Sequence, residues 1–160
     1  MRIYKQLMLM VPGLRKTENT MDFYQSLSVQ GIYQTVCVAE KIKEDSCDNP
    51  EFIFSGTALY MRQSAEIIHQ TFPSSELDFR DNLYAANEKN LLYFLKNLDD
   101  IFDCLLVLSE WQAIQKLFIQ LTGEGIELNP SGCVCIQWSA HQPWKIIDDK
   151  KGQLAQVWLP

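Results

Sequence analysis

The residues able to do chemistry are few and scattered. The 160-residue chain has two histidines, His69 and His141. His141, in a polar stretch ahead of Trp144, is the candidate general base, against the simpler reading of a surface or capping histidine. Five cysteines, Cys37, Cys47, Cys104, Cys133 and Cys135, make an odd set with no Cys-x-x-Cys spacing. They fit reduced thiols better than a disulfide framework. Cys133 and Cys135 alternate in a strand-like run and face the same side, as a metal pair or as two thiols packed as small hydrophobes. A cysteine nucleophile would need a histidine beside it, and only His141 is near Cys133 and Cys135 in sequence. The chain has no glycine-rich phosphate loop and no Gly-x-Ser-x-Gly turn. Trp138, Trp144 and Trp158 cluster in the last segment. With Tyr60 and Gln156 they are either core or the aromatic wall of a small-molecule cavity.

Several elements must position these groups. Ile3 to Val11 reads as a strand closed by Pro12-Gly13. Thr17 or Asn19 can cap a helix running to Leu27, with Gly31 at its exit. Ile32 to Val38 is rich in β-branched and aromatic residues and predicts a strand, and Glu40 to Pro50 a loop. Glu51 to Phe54, Ser55-Gly56 and Thr57 to Arg62 read as strand, tight turn and strand. Leu91, Phe94, Leu95 and Leu98 repeat at helical spacing within Leu83 to Leu98. Phe102 to Leu108 predicts a strand. Ser109 and Gln112 are spaced as a capping box for a helix with Trp111, Ile114, Leu117, Phe118 and Leu121 as its buried stripe, closed by Gly123 or Gly125. Ile126 to Leu128 and Val134 to Trp138 are further strand candidates. Asp148-Asp149-Lys150-Lys151-Gly152 predicts a hairpin turn between Pro143–Ile147 and a last strand. On that strand, Leu154, Gln156 and Trp158 would share one face.

The expected architecture is α+β: two β-α-β-β-β modules at 1–63 and 102–160, joined by a helix-bearing connector at 64–101, in one compact domain. Val11-Pro12-Gly13-Leu14 followed by Asp22-Phe23-Tyr24-Gln25-Ser26-Leu27-Ser28 resembles the first strand and helix end of the vicinal oxygen chelate superfamily, the glyoxalase, bleomycin-resistance and dioxygenase fold. Pro143-Trp144 and Asp149-x-x-Gly152-Gln153-x-x-Gln156 resemble that family's C-terminal motif. The resemblance implies curved sheets around a ligand cavity, with metal-binding His and Glu on the inner strand faces. Here Gln156 stands at the family's last ligand position. Lys5, Gln6 and Met8 lie where a histidine is expected, and Tyr60 and Arg62 where a carboxylate is. The resemblance therefore implies no cofactor and no divalent metal. It points to binding of a small organic ligand by Gln6, Tyr60, Arg62, Trp138, Trp144 and Gln156, in a homodimer. A lyase or dioxygenase with an altered metal site is the alternative within the family.

A formal net charge of −6 argues against a nucleic-acid partner, which would need a basic face. It permits a basic protein partner, as an immunity-type protein would have. The short apolar run at the N-terminus reads as a strand and no run is long enough to span a bilayer, so a cytoplasmic protein without membrane contact is expected.

Overall fold

Residues 3–45, 48–147 and 151–160 are described by a computed structural model. Among the described residues, six strands build one mixed sheet, in the order β3-β2-β4-β1-β5-β6. The strands are β1 (Tyr4–Met10), β2 (Phe52–Ser55), β3 (Glu76–Phe79), β4 (Cys104–Leu108), β5 (Cys133–Ser139) and β6 (Gln153–Trp158). The first four run parallel, and β5 is antiparallel to both β1 and β6. Helices α1 (Val29–Asp45) and α2 (Leu59–Thr71) cover one face, where Val38, Ala39, Ile42, Ala65 and Ile68 pack on Met8, Met10, Leu106 and Cys135. Helices α3 (Glu88–Lys96) and α4 (Trp111–Thr122) cover the other, where Leu91, Phe94, Ile114 and Leu117 pack on Leu7, Leu9, Leu105 and Val107. With both faces covered, β4 is apolar at every position, as parallel strands between helical layers must be.

The sheet is continuous, and two β-α-β-β-β modules around a cavity do not form. Ile32 to Val38, read as a strand, lies inside α1, because Gly31, Thr35, Val38, Ala39 and Ile42 fall on one helical face and are buried there. Thr57 to Arg62, read as the far arm of a hairpin, leads into α2, which buries Tyr60, Met61, Ser64, Ala65 and Ile68 at helical spacing. The helix expected before Leu27 is a single 3₁₀ turn at Asp22–Tyr24. Ile126 to Leu128 belongs to no strand.

The predicted C-terminal hairpin has only its second arm: Trp144–Ile146 is a 3₁₀ turn, and β6 pairs with β5 instead. The Asp148-Asp149-Lys150 turn and Cys47 lie outside the described residues. A register shift opposite Cys135/Ile136 sets Gln156 across from Cys135 and Leu154 across from Ile136. Leu154 therefore joins the core of the α3/α4 face, away from Trp158. Such an extra residue reverses the alternation that the sequence pattern assumes. The β1 and β4–α4 readings match the structure, and α3 falls within the predicted helix. The Ser109 capping box is absent: the cap of α4 is Glu110, with no side-chain cap bond, while the Ser109 hydroxyl donates to Leu83 O at 2.7 Å. Gly123 closes α4 in the left-handed conformation, φ 76°.

Candidate active-site crevice

The chain leaves β1 toward α1 on one face and leaves adjacent β4 toward α4 on the other. Parallel sheets bind ligands at such a switch point, outside the carboxyl ends of the strands. Four segments meet there: Val11–Arg15 after β1, Gly56–Tyr60 after β2, Arg80–Asn87 after β3, and Ser109–Trp111 after β4. Between them lies an open crevice of about 360 Å³ lined by Arg15, Ala85, Glu88, Glu110, Trp111 and Lys116 among others. A smaller recess of about 110 Å³ beside it is lined by Pro12, Gly13, Arg15, Tyr60, Glu110 and Trp111.

The loop after β1 is fixed from below. Gly13 N–H donates to the buried Ser64 Oγ at 3.0 Å, and Ser64 Oγ donates to Tyr60 O at 2.7 Å, tying the loop to α2. A Cβ on Gly31 would collide with the Leu14 backbone, so only glycine lets α1 lie this close to the loop. Arg15 is thereby held with its guanidinium carbon 4.6 Å from the Tyr60 ring centroid.

The side chains around the mouth form a closed ring. Arg15 pairs with Asp22 at 3.3 Å, and Asp22 accepts from the Tyr84 hydroxyl at 2.6 Å. Next to Tyr84, Ala85 N–H donates to Glu110 Oε1 at 2.9 Å, and the Tyr60 hydroxyl donates to Glu110 Oε2 at 3.4 Å. Ala85 adopts φ 55°, a left-handed conformation that costs a non-glycine residue on the order of 1 kcal/mol and needs support from its surroundings. Burial, reinforced by the Glu110 charge, pushes the Tyr60 phenol well above its ordinary value. The Tyr84 phenol is pushed up to about 12, chiefly by its hydrogen bond to Asp22. Both phenols therefore stay protonated donors at neutral pH.

Neither histidine reaches this crevice. His69 is in the last turn of α2, with Nε2 3.0 Å from Ser75 O, and His141 follows β5, where Ala140 N–H donates to Ile3 O. Both positions are at the opposite end of the parallel strands. The hydroxyls of Ser64 and Ser109 are buried and donate to carbonyls, so neither is a free nucleophile. Among the described residues no group of three His, Cys, Asp or Glu side chains is placed to hold a metal ion.

The binding residues expected from sequence are not brought together. Tyr60 lines the smaller recess. Arg62 is on the outside of α2, stacked 4.5 Å from the Phe79 ring. Trp138 and Trp144 are buried at the other end of the sheet, with ring centroids 6.3 Å apart. There Trp144 packs beneath the ammonium of buried Lys5. Gln6 projects from the opposite sheet face and accepts from the Cys104 thiol, and Gln156 is exposed on the edge strand. Cys133 and Cys135 are buried in the core of the α1/α2 face, where burial raises both thiols. Trp111, expected in the buried stripe of α4, is 43% exposed at the crevice mouth. Sequence reasoning did not single out Arg15, Asp22, Tyr84 or Glu110. They come from three separate connections, after β1, β3 and β4, with no shared motif, and only the Glu110-Trp111 start of α4 offered a positional signal.

No protein-family model and no curated protein matches the sequence. The fold does have solved neighbours. A candidate phosphohistidine phosphatase SixA from Nakamurella multipartita superposes with TM-score 0.85 at 15% identity, over 98% of this chain and 96% of that one. A candidate SixA from Agrobacterium tumefaciens gives 0.82 at 15% identity over 98% of each chain. A protein histidine phosphatase SixA complexed with tungstate gives 0.77 at 15% identity over 96% of each. The fold is that of the histidine phosphatases. This overturns the resemblance to the vicinal oxygen chelate superfamily, and with it the glyoxalase and bleomycin-resistance reading. The short motifs behind that resemblance lie on a 3₁₀ turn, a loop and an edge strand, not on facing modules.

Proposed function

We propose that this chain is a non-hydrolysing protein on the histidine-phosphatase fold, whose crevice recognises a group instead of cleaving a phosphoester. The reading is carried by what occupies the crevice: a carboxylate, Glu110, with no imidazole and no free hydroxyl nucleophile beside it among the described residues. Phosphoryl transfer to water through side chains needs a nucleophile or a base, together with donors aimed at the phosphoryl oxygens. Here the Tyr60 and Tyr84 hydroxyls donate to Glu110 and Asp22, and one Arg15 N–H pairs with Asp22. The acceptors Glu88 and Glu110, with exposed Trp111 alongside, suit a ligand that carries hydrogen-bond donors on a cationic group, while Arg15 and Lys116 balance the charge of the lining.

The test combines two measurements. Purified protein incubated with phosphohistidine peptide and with p-nitrophenyl phosphate should release no phosphate above the buffer rate. In a screen of amine- and guanidine-bearing metabolites, a binder should change the emission of Trp111, because Trp138, Trp144 and Trp158 are buried. The change should vanish in W111F. Steady phosphate release, or a screen in which no cationic compound acts through Trp111, would contradict the proposal.

A second reading draws on Glu110 and Arg15 lining the same crevice: slow hydrolysis by a water that Glu110 activates. It predicts wild-type turnover that E110Q abolishes.

A further inference from the structure

We infer that Glu110 is a built-in anion occupying an oxyanion position, and that it alone decides that the crevice takes donors and refuses phosphate-like ligands. The inference rests on reading this crevice as the recognition site. A tetrahedral oxyanion in such a crevice would look for a backbone N–H, a phenolic hydroxyl and a guanidinium. All three are present, and two of them converge on the Glu110 carboxylate: Ala85 N–H at 2.9 Å on Oε1 and the Tyr60 hydroxyl at 3.4 Å on Oε2. The third, Arg15, lines both recesses with Glu110 and stacks on the same Tyr60 ring. The Ala85 conformation points the same way. A non-glycine residue at φ 55° beside the site, with its N–H turned onto Glu110, is backbone shaped to present a donor.

An incoming dianion would meet the Glu110 charge at contact distance and find its donors taken. Removing the side chain vacates the position. It leaves the helix start intact, because Glu110 makes no side-chain cap bond to α4.

The test is tungstate and inorganic phosphate titrated into wild type, E110A and E110Q, read by thermal shift and calorimetry. Wild type should show no binding at millimolar tungstate. E110A should bind on the order of tenfold more tightly or better, from freed donors and lost repulsion. E110Q, which keeps the shape and removes the charge, should gain less. Adding R15A to E110A should abolish the gain. Circular dichroism of each variant establishes that it is folded. Folded E110A and E110Q that bind tungstate no better than wild type would overturn the inference, as would tight binding by wild type itself. A screen of wild type in which no cationic compound acts through Trp111 would defeat the recognition reading and leave the tungstate comparison of wild type with E110A standing, so the two failures are distinguishable.

Discussion

Ser64→Ala tests how the crevice is held. Ser64 is fully buried on α2, and its hydroxyl is the acceptor for Gly13 N–H at 3.0 Å. The alanine variant leaves that N–H buried without a partner, a cost of about 1–3 kcal/mol. The hydroxyl's own bond to Tyr60 O is a helix back-bond, and that carbonyl keeps its i+4 partner in the ladder, so its loss costs little. Alanine is the better helix former by roughly 0.5 kcal/mol, which offsets part of the damage. The net expectation is a loss of about 1.5 kcal/mol. Urea denaturation should show it as a lower midpoint with an unchanged slope. Hydrogen exchange supplies the local readout: the Gly13 amide should lose protection while amides in β4 keep theirs. If S64A unfolds within about 0.5 kcal/mol of wild type and Gly13 stays protected, the tie between α2 and the Arg15 loop is not what fixes the crevice.

Other expectations concern charge. In D22N the Tyr84 phenol loses its charged acceptor, so its titration, followed by carbon NMR of the tyrosine ring, should fall from about 12 toward its ordinary value. Because the fold raises that phenol, the stability it carries is present below the unfolded value of about 10. That stability is lost as pH rises from there through about 12, and D22N should flatten this alkaline loss. Asp100 behaves with the opposite sign: the Trp144 backbone N–H, then Lys5, hold its carboxyl below the ordinary range. Its contribution is therefore present above the unfolded value of about 3.9 and lost as pH falls through the lower folded one. D100N should destabilise at neutral pH by about 1–2 kcal/mol, since Lys5 is buried while Asp100 is half exposed, and the gap to wild type should close in acid.

Much of the scaffold could be read from the sequence, and the site could not. The apolar run of β4 and the stripe of Ile114, Leu117, Phe118 and Leu121 on α4 announce themselves, because burial on both faces or on one stripe leaves a periodic trace. Helix α1 was hidden by its own composition: Ile32, Tyr33, Val36 and Val38 have strand propensity, yet packing on the sheet decided for helix. The signal that could have found it is the spacing of Gly31, Thr35, Val38 and Ile42, one helical face of small and apolar residues. Ahead of α2, Ser55-Gly56 suggested a hairpin, but glycine serves there because a Cβ would crowd Met61 and the Leu83 carbonyl. Tyr60, read as part of a strand, lies on α2 and lines the smaller recess. Asp22, Tyr84 and Glu110 meet only through topology, 62 residues separating the first pair, so nothing local marks them.

The most direct trial of the account is the rate of phosphate release from a phosphohistidine peptide, with the intact wild-type chain in excess. A rate equal to the peptide's own decay in buffer is the predicted result. A faster release that scales with protein concentration would contradict it.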